Sequence, residues 1–243
     1  MSMSRQPRRL GIVGGLGPFA SSEFLRTLYE CSACEAEQAM PAVMLWSDPA
    51  VPDRTRALAD GGRPALGRHL AAAVGALLEL ECSRIVVCCF TMHAALPELP
   101  PEYRERIVSL VDVAIEQIGR RGERQLLLCS SGTRAMRLFE RHPRWAEVES
   151  LVAMPRSSDQ ESVHRLIHAI KQSGDADAHV GAAGALLGKY AVGSLAVACS
   201  EFHLLAKAAR RRGVAWRTCD PLDWVARAWT SNELPAAAAA VSG

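Results

Sequence analysis

Short apolar runs alternate with longer amphipathic segments along most of this chain, and no other sequence feature restricts the fold as strongly. The apolar runs predict buried strands at residues 10–13, 42–46, 84–88, 125–129 and 194–198. Segments of helical periodicity lie at residues 22–30, 64–81, 103–119, 158–172, 180–190 and 202–212. Strands that alternate with helices predict an α/β fold with mostly parallel sheets.

The helix predicted at residues 158–172 has the clearest start and stop signals. Ser158 and Glu161 have the spacing of a capping box, in which two side chains satisfy free N–H groups of the first turn. Gly174 follows the last periodic residue and predicts the end of the helix.

An internal duplication indicates two lobes of related design. Residues 86–93 align with residues 196–203, and both segments contain an apolar run, a cysteine and a histidine four positions later. Each run predicts a strand followed by a helix, which places each cysteine at the carboxyl end of a strand, where open α/β sheets bind ligands. We predict two pseudo-symmetric lobes, each a mostly parallel sheet flanked by helices, with the site between them.

The predicted boundaries follow from this duplication. Residues 1–105 and 215–235 form a first lobe that carries Cys89, and residues 106–214 form a second lobe that carries Cys199. The alanine-rich end, residues 236–243, predicts a disordered tail.

Paired cysteines at helix starts suggest proton transfer at carbon. A helix N-terminus favours thiolate over thiol. If the lobes face each other, Cys89 and Cys199 can lie on opposite sides of one substrate carbon, and the thiolate of one removes a proton while the thiol of the other returns one. This inverts a stereocentre without a cofactor, provided that donors stabilise the enediolate.

His93 and His203 are candidates for tuning the thiols. A buried cysteine is often only a small apolar residue, but the matched pair favours function.

Other polar residues follow predicted strands and are candidates for substrate binding. Gly15 and Gly17 lie in a strand-to-helix loop whose backbone N–H groups can approach a carboxylate, although the spacing fits neither a P-loop nor a dinucleotide motif. Arg54 can pair with a carboxylate through two N–H groups. Ser131 and Thr133 offer hydroxyls after the strand at residues 125–129.

Composition and cysteine spacing exclude several other classes. The net charge is +2 and the basic residues are scattered, which argues against nucleic-acid binding. Cys31 and Cys34 form a C-x-x-C pair without a second pair, so we expect no metal site. Residues 1–10 do not begin a signal peptide, and no run is long and apolar enough to cross a bilayer. We therefore expect a cytoplasmic protein with free thiols and a small-molecule substrate.

Several motifs together resemble the aspartate/glutamate racemase family, in order and over nearly the whole chain. They are GGLGP at 14–18, PDRT at 52–55, the Cys89 and Cys199 segments, GT at 132–133, DQ at 159–160 and DP at 220–221. The resemblance implies a two-lobed α/β fold, catalysis without pyridoxal phosphate, a carboxylate-bearing substrate and often a homodimer.

The resemblance also implies roles for individual residues. Cys89 and Cys199 would be the acid/base pair, and Arg54 and Lys171 would bind the distal carboxylate of the substrate. The remaining substrate-lining residues would be Thr91, Thr133, Ser200 and Glu201.

One departure from the family pattern affects the expected substrate. Phe90 stands where the family has asparagine after the first cysteine, so an amide that holds the α-carboxylate is missing. We predict that the substrate is a larger, apolar or derivatised amino acid that packs against Phe90.

Two alternatives to a racemase remain. One is a decarboxylase or cis–trans isomerase of a carboxylic acid on the same scaffold, and the other is a binding protein without turnover.

Overall fold

Two four-stranded parallel sheets form the centre of the molecule. The computed structural model describes residues 8–32 and 36–234, and every statement below concerns these residues. The first sheet has the order β2-β1-β3-β4 and the second has the order β6-β5-β7-β8. The strands are β1 Arg9–Gly14, β2 Ala42–Ser47, β3 Cys82–Val87, β4 Ile107–Val108, β5 Gln125–Cys129, β6 Val152–Ala153, β7 Ser194–Ala198 and β8 Arg217–Cys219.

Helices flank both sheets, as the alternating pattern predicts. The α-helices are α1 Pro18–Cys31, α2 Arg54–Ala59, α3 Arg63–Glu79, α4 Pro101–Arg104, α5 Leu110–Arg121, α6 Ser131–Ala135, α7 Ser157–Ser173, α8 Val180–Lys189, α9 Glu201–Arg211 and α10 Pro221–Thr230. Short 3-10 helices lie at Glu37–Ala39, Thr91–Glu98, Trp145–Glu147, Glu149–Leu151 and Asp177–His179. The predicted α/β architecture of two parallel sheets is confirmed.

A shared apolar core joins the two sheets. Val86 of β3 belongs to the same buried cluster as Leu127 of β5 and Ala196 of β7, together with Leu222 of α10. Helix α3 covers the other face of the first sheet, and α7, α8 and α9 cover the other face of the second. The carboxyl ends of the strands in the two sheets are therefore held in a fixed relation by packed side chains.

The single helix predicted at residues 103–119 is wrong. The segment contains α4, then β4, then α5, because Ile107 and Val108 pair with Ile85 and Val86 and complete the first sheet. Ser109 then caps α5 by accepting a hydrogen bond from the Asp112 N–H at 3.1 Å.

Strand pairing shifts the predicted lobe boundaries at two places. Residues 107–108 pair within the first sheet, whereas the prediction placed them in the second lobe. Residues 217–219 pair with β7 in the second sheet, whereas the prediction placed them in the first lobe. Helix α10 packs against α1 and α5. The division into two lobes remains a proposal with these two strands exchanged.

The predicted capping box of α7 is wrong, although the helix is present. It begins at Ser157 with Arg156 at the N-cap, and no side chain accepts a capping hydrogen bond, so Ser158 already lies inside the first turn. Gly174 ends the helix in the left-handed conformation, with φ at 71°, as the sequence predicts.

The described part of the chain adds three facts to these expectations. Its cysteines all carry free thiols. It contains no helix that is long and apolar enough to cross a bilayer. Cys34 and the predicted tail at residues 236–243 lie outside the described residues.

Gly15, in the loop after β1, and Gly61 have almost equal φ values but different surroundings. Alanine variants at the two positions therefore measure the steric restriction at Gly15. Gly15 has φ +78°, and an added Cβ would lie 2.3 Å from the backbone nitrogen of Asp48, whereas Gly61 has φ +76° and nothing within 4 Å of the same position. We expect Gly61→Ala to lower the free energy of unfolding by about 1 kcal/mol, the cost of a left-handed alanine. Gly15→Ala should lower it by about 3 kcal/mol, because backbone must also move. Urea denaturation at pH 7 measures both values, and equal losses would contradict the steric role.

Candidate active site

The duplicated cysteines lie at the carboxyl ends of the central strands of the two sheets. Cys89 follows β3 by two residues, and Cys199 immediately follows β7. Both side chains are buried, at 8% and 7% exposure. Burial and Glu201 are the main causes of the raised pKa of Cys199, and the charge of Cys89 adds to them, so the two thiols lie within electrostatic range of each other.

The secondary structure after the two cysteines differs. Cys199 precedes helix α9 by two residues, as predicted. The predicted helix after Cys89 is instead the 3-10 helix Thr91–Glu98, which contains Pro97, a residue without an N–H group. The macrodipole argument therefore applies less to Cys89 than the sequence suggested, because a short 3-10 helix aligns fewer peptide dipoles.

The expectation that both thiols favour thiolate is wrong for Cys199. Burial raises its pKa well above the ordinary value, and the charge of Glu201 and a hydrogen bond to it raise it further. The Cys199 Sγ–H donates this bond to Glu201 Oε2 at 2.9 Å. Here the local carboxylate and burial outweigh the dipole of α9.

Glu201 itself is buried between α7 and the loop before α1. The residue is 3% exposed, and its Oε1 accepts no hydrogen bond within the described chain. Lys171 Nζ of α7 lies 3.8 Å from Oε1. A Cβ added to Gly17 would lie 2.1 Å from the same oxygen, so the absence of a side chain at Gly17 leaves room for the carboxylate.

Three hydroxyls join the segment after β3 to the segment after β5. Thr91 Oγ1 lies 2.7 Å from Ser130 Oγ and 3.0 Å from Thr133 Oγ1. Ser130 Oγ donates to Thr133 Oγ1 at 3.1 Å and accepts from the Thr133 N–H, which caps α6. All three residues are buried. Each hydroxyl can rotate to donate or to accept, so the cluster can bind either kind of polar group.

Arg54 is anchored to backbone carbonyls but is not fully satisfied. Its guanidinium donates to the carbonyl oxygens of Val51 at 3.1 Å, Pro52 at 3.0 Å and Leu16. The Leu16 contact fixes the loop that contains Gly15 and Gly17. The buried Nε–H has no acceptor within the described chain. An unpaired buried donor is costly, and an incoming acceptor would remove that cost.

The predicted site residues therefore form two contact clusters. The first contains Gly17, Lys171, Cys199, Ser200 and Glu201. The second contains Thr91 and Thr133, and Thr91 lies two residues after Cys89. Ser131 begins α6 and is half-buried next to the hydroxyl cluster. Sequence reasoning gave Ser130 only a passing role, although it is central to the cluster. Its position as N-cap of α6 was the available signal.

Phe90 belongs to the core of the protein. Its ring is 1% exposed and stacks on Phe139 with ring centroids 6.2 Å apart and on His93 with centroids 6.1 Å apart. The predicted contact with a substrate would require this ring to leave the core. Phe90, in place of the asparagine that the resemblance implies, thus supplies no amide donor, and its ring lies in the core and not in the cleft.

His93 is fixed by backbone groups instead of contacting a thiol. Its Nε2 accepts a hydrogen bond from the Leu110 N–H at 3.0 Å, so the proton lies on Nδ1, which donates to the Cys89 carbonyl at 2.9 Å. Burial lowers the pKa of His93 and favours this neutral form. The histidine positions the backbone of Cys89, and the predicted contact with the thiol is absent from the structure.

His203 is held by two buried side chains. Its Nδ1 lies 2.7 Å from the Asp220 carboxylate, which can only accept, so Nδ1 carries a proton and donates. Its Nε2 lies 2.9 Å from Thr27 Oγ1, a hydroxyl that also accepts from Lys207 Nζ at 2.9 Å. The two ring nitrogens thus link helix α1 to the N-cap residue of α10.

Metal binding finds no support in the described residues. They contain no group of three or more His, Cys, Asp or Glu side chains placed to hold an ion. Surface cavities of about 460 and 290 Å³ lie elsewhere, against α10. The candidate site is the buried junction between the two sheets.

Comparison with known proteins finds a matching family model and several solved structures with a similar fold. The model of the Asp/Glu/Hydantoin racemase family matches residues 13–228. Aspartate racemase from Picrophilus torridus is similar with a TM-score of 0.76 and 21% identity over 93% of each chain. An aspartate racemase homologue from Pyrococcus horikoshii has a TM-score of 0.63 and 18% identity, over 93% of this chain and 99% of that one. Glutamate racemase from Thermus thermophilus has a TM-score of 0.56 and 17% identity, over 94% of this chain and 83% of that one. These structures share the fold.

Proposed function

Because the chain belongs to the Asp/Glu/Hydantoin racemase family, a family of isomerases, we propose that it is a cofactor-independent amino-acid racemase or epimerase that uses Cys89 and Cys199. The single observation that carries this proposal is the placement of the two cysteines. Both follow inner strands of the two sheets, both are nearly buried, and the charge of Cys89 adds to the raised pKa of Cys199.

The proposed reaction needs two proton transfers. The thiolate of one cysteine removes the α-proton, which breaks the C–H bond and forms an S–H bond. The thiol of the other cysteine delivers its proton to the opposite face of the carbanion. The intermediate is an enediolate, whose charge the hydroxyls of Thr91, Ser130 and Thr133 can stabilise because they are buried and free to reorient.

Charged groups at the site favour a carboxylate-bearing substrate. Lys171 supplies an ammonium that is only 3.8 Å from Glu201, and Arg54 has an unpaired buried Nε–H. We propose that these two groups bind the distal carboxylate. Gly15 and Gly17 bring loop backbone close to the same region. Since Phe90 supplies no amide, the α-carboxylate would depend on hydroxyl groups, and a derivatised or apolar amino acid remains within the proposed substrate range.

Two further properties remain proposals. The family resemblance predicts a homodimer, and Trp46, 42% exposed on the edge strand β2, provides an apolar group for such an interface. The sequence predicts a cytoplasmic location, which the free thiols of the described cysteines favour.

Proton NMR in D2O tests the proposed reaction directly. The wild-type protein is incubated with a panel of free amino acids, N-acylated and amidated amino acids and dicarboxylic acids, and loss of the α-proton signal is followed. We expect exchange for at least one amino acid or derivative, together with formation of its enantiomer on a chiral column. Exchange in no member of the panel, or loss of carbon dioxide from a substrate, would contradict the proposal.

A further inference from the structure

We propose that Glu201 holds Cys199 as the protonated member of the cysteine pair, so that Cys199 is the resting proton donor and Cys89 the resting base. This inference rests on the proposed function, since the words donor and base refer to that reaction. It assigns to Glu201 the role of a positioning residue for a thiol proton, beyond the substrate-lining role that the sequence suggested.

The first argument is the hydrogen bond itself. Cys199 Sγ lies 2.9 Å from Glu201 Oε2, and a carboxylate can only accept, so this contact requires the proton on sulfur. Deprotonating Cys199 would place two negative charges at this distance in a site where both residues are buried. Like charges at close range disfavour the second ionisation.

The second argument is the packing that holds Glu201 in place. Its Oε1 is buried without a hydrogen-bond donor and faces the open position at Gly17. Ser200 Oγ donates weakly to Oε2 at 3.5 Å. The carboxylate therefore has few partners that compete with the Cys199 thiol, and Gly17 leaves room for it in this orientation.

The third argument is the absence of an equivalent group beside Cys89. Within the described chain no carboxylate accepts a hydrogen bond from Cys89 Sγ, and His93 contacts only its backbone carbonyl. The exposures of the two thiols are nearly equal, so burial does not distinguish them. Glu201 is the difference between the two sides of the site.

Several charged groups act on this pair. Lys171 on α7 lowers the pKa of Cys199, and Cys89 at the end of β3 raises it. Burial raises the pKa of Cys88, and the charge of Glu201 raises it further. Beyond the effect of burial, the Glu201 charge and its hydrogen bond therefore hold the proton on the Cys199 sulfur.

Carbon NMR of protein labelled with [3-13C]cysteine measures this order without a substrate. The Cβ shift of each cysteine follows its ionisation, and Cys89→Ser and Cys199→Ser variants assign the two signals. We expect the midpoint of Cys199 to exceed that of Cys89. Glu201→Gln should lower the Cys199 midpoint by about one pH unit or more, a tenfold change in thiolate fraction. Glu201→Asp should restore part of the difference, and the exposed Glu149→Gln should change neither midpoint.

Gly17→Ala provides an independent variant that keeps the charge of Glu201. Gly17 has extended backbone with φ at −174°, which alanine adopts freely, and the new Cβ would displace Oε1. We expect the Cys199 midpoint to fall here as well. A Cys199 midpoint at or below that of Cys89, or one that Glu201→Gln leaves unchanged, would overturn the inference. The titration needs no turnover and tests only the role of Glu201, whereas the exchange assay tests the proposed reaction. The two proposals can therefore fail independently.

Discussion

Alanine in place of either Cys89 or Cys199 is expected to reduce racemisation by about 10²- to 10⁴-fold, the usual contribution of a positioned acid or base. The two variants should fail for different reasons. Without Cys89 the resting base is lost, and without Cys199 the proton for the opposite face is lost. Chiral chromatography of the product at saturating substrate measures both rates.

Cys88→Ala is the matched control for these variants. Cys88 is the neighbouring residue at the same strand end, but it is fully buried in the core between the sheets. We expect its loss to change the racemisation rate by less than about threefold, since its thiol belongs to the packing. Full activity in Cys89→Ala or Cys199→Ala would refute the mechanism that uses both cysteines.

Asparagine in place of Asp220 is expected to lower the free energy of unfolding at pH 7 by about 3 to 5 kcal/mol, the usual cost of removing one partner of a buried charged pair. Asparagine can still cap α10 as Asp220 Oδ1 does through the Leu222 and Asp223 N–H groups. The variant therefore removes the carboxylate charge that accepts from His203 and keeps the cap.

The pH dependence of this loss has a definite sign. Burial alone would raise the pKa of Asp220, but the charge and hydrogen bond of His203 outweigh it and hold the pKa below its ordinary value. A carboxyl group with a lowered folded-state pKa stabilises the protein above its unfolded pKa, and this stability is lost as pH falls. The difference between wild type and Asp220→Asn should thus narrow below about pH 4.

Urea denaturation at pH 7 and at pH 3.5 or so measures this difference. Asp177→Asn serves as the control, because Asp177 pairs with Arg211 in an exposed ion pair at 2.7 Å. Such pairs contribute at most about 1 kcal/mol. An Asp220→Asn variant as stable as this control would show that the Asp220 carboxylate does not stabilise the fold through His203.

The sequence predicted most of the elements that position the site. Runs of β-branched and apolar residues identified the central strands β1, β3, β5 and β7, because strands covered on both faces are continuously apolar. The duplicated cysteine segments predicted that Cys89 and Cys199 would lie at corresponding strand ends. Strands β4, β6 and β8 have two or three residues each and left no pattern long enough to detect.

The surroundings of the catalytic candidates depended on contacts that are remote in sequence. His93 and His203 have the same spacing from their cysteines, but His93 Nε2 accepts from the Leu110 N–H, whereas His203 Nδ1 donates to Asp220. The proximity of Glu201 to Gly17 joins two segments that only the folded chain brings together. Local patterns carry no information on such pairs.

A carboxylate beside only one of the two thiols limits how the enzyme can treat mirror-image substrates. Enantiomers with a single stereocentre have equal free energy in water, so kcat/KM must be the same for both directions. The unequal surroundings of Cys89 and Cys199 can then change kcat and KM only by a common factor. The enantiomer that turns over faster at saturation is consequently the one with the higher KM.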